Sequence, residues 1–133
     1  HRGWKCLRIL MRQMLKSKMH RAMVTRADIE SEGGIEVPGD LMAEEGLSEG
    51  ERVLVAAVNS GNRLETYVRE GPGGRGEILI KGGAVHLIQK GEWVTILAWA
   101  LSDKPVVAKR IVMDEGTRLW GVWAENSGPS NFF

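Results

Sequence analysis

The feature that most constrains this 133-residue chain is that it repeats itself. Leu47-Ser48-Glu49-Gly50-Glu51-Arg52-Val53-Leu54-Val55 is followed 41 residues later by Ile88-Gln89-Lys90-Gly91-Glu92-Trp93-Val94-Thr95-Ile96. Each copy runs from an apolar anchor through a tight Gly-Glu turn into a stretch that reads as a strand. Each also follows a segment expected to be a short helical turn. The first is residues 39–45, where Leu41, Met42 and Ala43 precede the stop at Gly46; the second is residues 84–89. Two units with the same order of parts imply two related halves of one closed sheet, because closure removes the edges that many short strands would otherwise expose. The expected architecture is a mainly β, pseudo-symmetric barrel.

The remaining segments fit that frame. Residues 21–27, with Met23, Val24 and Thr25, read as a short strand leading into an acidic, glycine-bearing turn at 31–34. Ile35-Glu36-Val37 alternates as a strand and Pro38 ends it. Residues 53–58 form a buried strand, Asn59-Ser60-Gly61-Asn62 a turn, and residues 63–69 alternate again, so the pair reads as a hairpin. After the glycine-rich loop 71–76, Ile78-Leu79-Ile80 is a strand that Gly82-Gly83 breaks sharply, and Arg110-Ile111-Val112-Met113 is a further strand. Trp93, Trp99, Trp120 and Trp123 are expected to pack in the core or at a subunit contact. Met11 would make a natural start. The expected division is therefore an extension over 1–10, one barrel domain over 11–115 and a tail over 116–133 whose last residues, 126–133, look frayed.

Composition excludes several classes. With 43% hydrophobic and 26% charged residues, the chain suits a single compact domain with a core. No run approaches the roughly 18 apolar residues of a membrane span, and the apolar patch at residues 6–10 is too short and basic for a secretory signal. A cytoplasmic protein without membrane contact is expected. The single Cys6 precludes an intramolecular disulfide and a cysteine-based zinc site. His20 and His86 form no triplet with ligand spacing, so both are expected to be structural and no metal site is expected. Residues 1–27 hold eight Lys or Arg and no acid, whereas residues 28–51 hold nine Asp or Glu and no base. No aromatic side chains interleave with the basic ones after Trp4, as a nucleic-acid platform would require. The two segments are expected to neutralise each other within the fold or across an oligomer.

Met14-Leu15-Lys16-Ser17-Lys18-Met19-His20-Arg21-Ala22-Met23-Val24-Thr25-Arg26-Ala27-Asp28 resembles the opening of the pyruvoyl-dependent aspartate 1-decarboxylases. The likeness continues through Gly61-Asn62-Arg63-Leu64-Glu65-Thr66-Tyr67, Lys81-Gly82-Gly83-Ala84-Val85-His86 and Gly91-Glu92, and covers about residues 11–115. The resemblance implies a six-stranded double-psi β-barrel assembled as a homotetramer, with active sites between neighbouring subunits. In that family a Gly-Ser bond cleaves itself: the serine hydroxyl attacks the preceding carbonyl, and elimination and hydrolysis leave an N-terminal pyruvoyl that serves as electron sink. By resemblance, Lys18 and Arg63 bind the substrate carboxylates, Tyr67 gives a proton to the carbanion, Thr66 assists processing, and Gly83 and Ala84 belong to the substrate pocket.

The sequence departs from that pattern where it matters most. The processing position is Gly33-Gly34, and Gly34 has no hydroxyl or thiol with which to perform the acyl shift. No cofactor is therefore expected. Lys81 stands where the family has asparagine, Gly83 where it has alanine, and Ser31 where it usually has tyrosine. A lysine partly buried at such a place can act as a base or form a Schiff base itself, against the plainer reading of a salt-bridged lysine. The expected function is that of a degenerate homologue repurposed as a cofactor-independent enzyme on a small carboxylate or an amino-acid-derived intermediate, with Tyr67 and Lys81 as catalytic groups. The alternatives are a non-catalytic homologue that binds or regulates a partner, residual aspartate α-decarboxylation to β-alanine, and an AbrB-like DNA-binding module, which Gly34-Ile35-Glu36-Val37-Pro38-Gly39-Asp40-Leu41 resembles. The last is disfavoured because residues 28–51 carry only acids and would repel phosphate.

Overall fold

A computed structural model describes residues 9–73 and 76–113, together with the backbone of residues 119–124. The strands are β1 (Arg12–Asp28), β2 (Gly34–Pro38), β3 (Arg52–Ala57), β4 (Arg63–Gly71), β5 (Ile78–Lys81), β6 (Trp93–Ser102), β7 (Lys109–Met113) and β8 (Leu119–Ala124). One short helix, α1 (Gly39–Glu45), and a 3-10 turn over Gly82–His86 complete the described elements. Their order in the sheet is β5-β2-β4-β3-β6-β1-β7-β8, and a further β5–β1 pairing closes the first six into a ring. The fold is thus mainly β, with a closed six-stranded barrel consistent with the double-psi type.

The sequence repeat is the symmetry of this barrel. Val55 of β3 lies opposite Ile96 of β6, the same position in the two copies, and the flanking pairs Leu54–Leu97 and Ala56–Thr95 exchange equivalent positions. The two Gly-Glu turns then make matching hydrogen bonds. Gly50 N donates to Val68 O (2.8 Å), and Val68 N donates in return to Glu51 O (2.9 Å). In the other half Gly91 N donates to Val24 O (2.8 Å) and Val24 N to Glu92 O (2.9 Å). Each turn is also closed by its own glutamate, whose carboxylate accepts from the amide three residues earlier, Ser48 N at 3.0 Å and Gln89 N at 2.6 Å. Parallel pairing of β2 with β4 and of β1 with β5 completes the correspondence.

Alternation puts Val53, Val55 and Ala57 of β3, Val94, Ile96 and Ala98 of β6, and Ile35 and Val37 of β2 inside the barrel, where Leu47 and Ile88 join the same core. Closure between β1 and β5 falls at a register shift, and there the Thr25 hydroxyl substitutes for a missing backbone partner. It accepts from Ile78 N (3.1 Å) and donates to Ile78 O (3.0 Å).

Two expectations need correction. The first strand is far longer than residues 21–27, because β1 pairs with β6 over residues 12–23, with β7 over residues 17–20 and with β5 at its end. Bulges between Leu15 and Ser17 and between Met19 and Ala22, with Arg21 at φ 64°, break the alternation that would have revealed it. The C-terminal segment contributes β8, antiparallel to β7. Of the tryptophans, Trp93 is only half-buried, with the Arg21 guanidinium 5.2 Å above its ring, and Trp99 is exposed. Trp120 and Trp123 have described backbone only, and the extension at 1–8 and the terminus at 126–133 lie outside the described residues.

The opposed charges of the N-terminal third meet in part within the chain. The Lys16 ammonium pairs with Glu51 and also donates to Gly46 O (3.1 Å). Nearby, at the seam between α1 and β1, Glu45 is buried beside Ser17, and neither carboxyl oxygen has a hydrogen-bond partner. Burial pushes its pKa from 4.5 up to about 8, against the opposing pull of the Lys16 and Lys109 cations. The folded state therefore holds a proton that the unfolded chain releases above pH 4.5, so this site's contribution to stability is full below that pH and is lost as pH rises through about 8. Glu45→Gln should leave stability nearly unchanged in acid and raise it progressively from pH 4.5 to 8. Urea denaturation of the two proteins across that range checks this; a difference independent of pH would contradict it.

Candidate functional site

An open cleft of about 450 Å³ lies where the β1–β2 turn, β4, the end of β5 and the 3-10 turn converge. Its floor is the Gly33–Gly34 backbone. Both residues have positive φ, 126° and 96°, a region that side chains other than glycine rarely adopt. The floor is pinned from below by Gly82, at φ 68°, where an added Cβ would lie 2.9 Å from Gly33 Cα and 3.1 Å from Ser31 O. Only a glycine permits that approach of two backbones. β5 then runs antiparallel to β2 so that Lys81 sits opposite Gly34.

The walls come from β4 and the 3-10 turn. Thr66 and Tyr67 are contributed by β4, Gly83 and Ala84 by the turn, and Leu64 and Leu87 add apolar surface. Tyr67 lies across the floor: a Cβ on Gly34 would fall 3.1 Å from Tyr67 Cε2, and one on Gly33 would fall 3.8 Å from its hydroxyl oxygen. At position 34 the space a side chain would use is bounded by the tyrosine ring, by Tyr67 O and by Arg69 Cγ, both at 3.2 Å. Tyr67 itself is 38% exposed and lines the cleft.

Lys81 lines this cleft and forms an ion pair with Glu36, Nζ to Oε2 at 2.8 Å, with both side chains more than four-fifths shielded from solvent. Glu36 was not singled out from the sequence. The signal was present in the alternation: Ile35 and Val37 face the core, so Glu36 leaves the barrel on the other face, and its neighbour across the β2–β5 ladder is Leu79, two residues from Lys81. Glu32 and Glu65 also line the cleft and were likewise not anticipated. Glu65 is paired with Arg52, on the rim of a second, smaller cleft that holds Gln13 and Trp99.

Of the residues expected to form a site, Gly33, Gly34, Thr66, Tyr67, Lys81, Gly83 and Ala84 are brought together. Lys18 and Arg63 do not line the same cleft. Lys18 is half-buried on β1, opposite Arg110 of β7, and Arg63 is exposed at the start of β4. His20 lies near Lys18, its Nδ1 3.3 Å from Thr95 Oγ1, and its pKa is lowered by partial burial and by the cations of Lys18, Arg21 and Arg110. Among the described residues no group of three or more His, Cys, Asp or Glu side chains could hold a metal ion, and no helix is long and apolar enough to cross a membrane.

Residues 10–119 match the family model described as aspartate decarboxylase. The chain is 50% identical over 105 residues to the aspartate 1-decarboxylase of Thermotoga petrophila, covering 79% of this chain and 92% of that protein. It is 46% identical over 90 residues to the aspartate 1-decarboxylase of Corynebacterium efficiens, covering 68% of this chain and 66% of that protein.

The contact between Gly82 and Gly33 gives a direct test of how the floor is held. Gly82→Ala should destabilise the fold by more than about 2 kcal/mol, since both the space and the backbone angle oppose a Cβ. Gly83→Ala, one residue on and with nothing within 4 Å of the added carbon, should change stability by less than about 0.5 kcal/mol. Equal effects in thermal denaturation would contradict the assignment.

Proposed function

This chain belongs to the aspartate decarboxylase family, and we propose that its cleft works without the pyruvoyl group, as a cofactor-independent enzyme on a small carboxylate or an amino-acid-derived intermediate. One observation carries the reading: the residue on the cleft floor beneath Tyr67, opposite Lys81, is a glycine. A pyruvoyl is what remains of a serine, its ketone being the former Cα and its methyl the former Cβ. Gly34 has no Cβ and no oxygen to attack the Gly33 carbonyl, so the residues present do not fit that group and no step runs through it.

In this reading the cleft keeps the family's polar equipment and changes the chemistry at its floor. Tyr67 presents a phenol that can give a proton to carbon, and Thr66 adds a hydroxyl on the same strand. Lys81 supplies an amine where the family's chemistry is centred, with Gly83 and Ala84 leaving the adjoining wall low. Lys18 and Arg63 are the carboxylate-binding cations, and Arg63 is able to make two parallel hydrogen bonds. That neither lines the cleft of its own chain accords with sites shared between subunits of a homotetramer, in a cytoplasmic protein.

A second reading is favoured by one specific observation. The ion pair with Glu36 satisfies Lys81 within the fold, which suits a non-catalytic homologue that binds a ligand or a partner. Residual aspartate decarboxylation and DNA binding have no comparable support. Both the enzyme and the ligand-binding reading have a small carboxylate enter the cleft, and a dicarboxylate can engage Lys18 and Arg63 together. Calorimetric titration of the intact protein with succinate should show saturable binding, weakened about tenfold or more by Arg63→Ala through loss of a charge-assisted contact. Absence of binding, or binding indifferent to Arg63, would contradict the proposal.

A further inference from the structure

We infer that the substrate of this cleft carries the carbonyl that the protein lacks: a β-oxo acid, decarboxylated through an imine on Lys81, with Glu36 as the positioning residue that receives the lysine's proton. The inference rests on the reading that Lys81 is catalytic, and narrows it to one substrate class.

The geometry supplies the parts. Lys81 lines the cleft opposite Gly34, and among the residues lining it Lys81 alone carries an amine able to form a carbon–nitrogen double bond with a ligand. Before it attacks, the ammonium must lose a proton, and Glu36 Oε2 at 2.8 Å is the acceptor in place. That carboxylate is fixed. Its strand is paired on both sides, with β4 and β5, and its Oε1 occupies a slot only 2.6 Å from where a Cβ on Gly71 would lie. Across the floor stands the hydroxyl of Tyr67.

Loss of carbon dioxide leaves an electron pair that needs an acceptor two atoms away. When the enzyme holds a ketone, the substrate must bring an amine. When the enzyme holds the amine, the substrate must bring the ketone, placed β to the departing carboxylate. Lys81 Nζ adds to that ketone carbon, Glu36 returns the proton and water leaves, giving a protonated imine. The bond to the carboxylate breaks, its electron pair enters the imine, and carbon dioxide departs, leaving an enamine. Tyr67 protonates the carbon and is reprotonated from solvent. Water then cleaves the imine, returning the free lysine and a ketone shorter by one carbon. The water released in the first step balances that used in the last, one proton is consumed, and no oxidant or reductant is required.

The test uses the full chain with acetoacetate as probe, trapped with borohydride and mapped by peptide mass spectrometry, alongside acetone release. The expected result is a reduced adduct on Lys81 and acetone formation at least tenfold above buffer. Lys81→Arg should abolish both while still binding succinate, and aspartate should give no adduct. Glu36→Gln, which removes the negative charge beside the ammonium, should move the pH–rate profile of acetone formation to lower pH, whereas a purely structural loss would lower the rate alike at every pH. If succinate binds and no Lys81 adduct forms, or the adduct persists in Lys81→Arg, this inference is overturned while carboxylate binding stands. If succinate does not bind, the functional reading beneath it fails as well.

Discussion

Closure of one sheet upon itself is the constraint from which everything else in this molecule follows. Six short strands cannot each protect their edges, but two halves related by a local two-fold at the Val55–Ile96 pair can lend each other their unpaired groups. The Gly-Glu turns do this directly, since each inserts an amide and a carbonyl between strands of the other part of the ring, at Val68 and at Val24. Where backbone register fails, at the β1–β5 junction, the Thr25 hydroxyl fills the gap. The cleft is a by-product of this geometry. The turn into β2 is pressed against the exit from β5 at Gly82, where an added Cβ would lie 2.9 Å from Gly33 Cα.

The barrel was legible in the sequence because its symmetry is written in residues that do the same physical work twice. Gly50 and Gly91, at φ 87° and 91°, make the same turn, and Leu47 and Ile88 join the same core. What could not be read was governed by irregularity. β1 loses its alternation at two bulges and carries Arg21 in a left-handed conformation, so its first half was not read as a strand although β1 is the most heavily paired strand of the barrel. β8 is held by β7 and has no internal signal strong enough to separate it from a tail.

The site shows the same division. Residues carried over by motif, such as Thr66, Tyr67 and Lys81, converge because they sit at fixed places on barrel strands. Their partners were missed because pairing across a ladder depends on register, which composition does not reveal. Glu36 is the clearest case, since it meets Lys81 only through the antiparallel β2–β5 register. The buried Glu45 was invisible for a similar reason: within an acidic run it looked solvated, and only the packing of α1 on β1 encloses it. Loss of the side chain at position 34 and the presence of a cation at 81 are coupled in space, at facing positions of one ladder. That coupling is what makes a change of chemistry more economical to explain than simple decay of the site.

Whether the chain cuts itself at the floor of the cleft decides the account more directly than any assay of turnover. Intact mass spectrometry of the purified protein, with and without a carbonyl-reactive hydrazide, measures it in one step. The account predicts a single mass for the uncut chain with no hydrazone. Two fragments divided between Gly33 and Gly34, the larger one bearing a carbonyl at its new end, would contradict it.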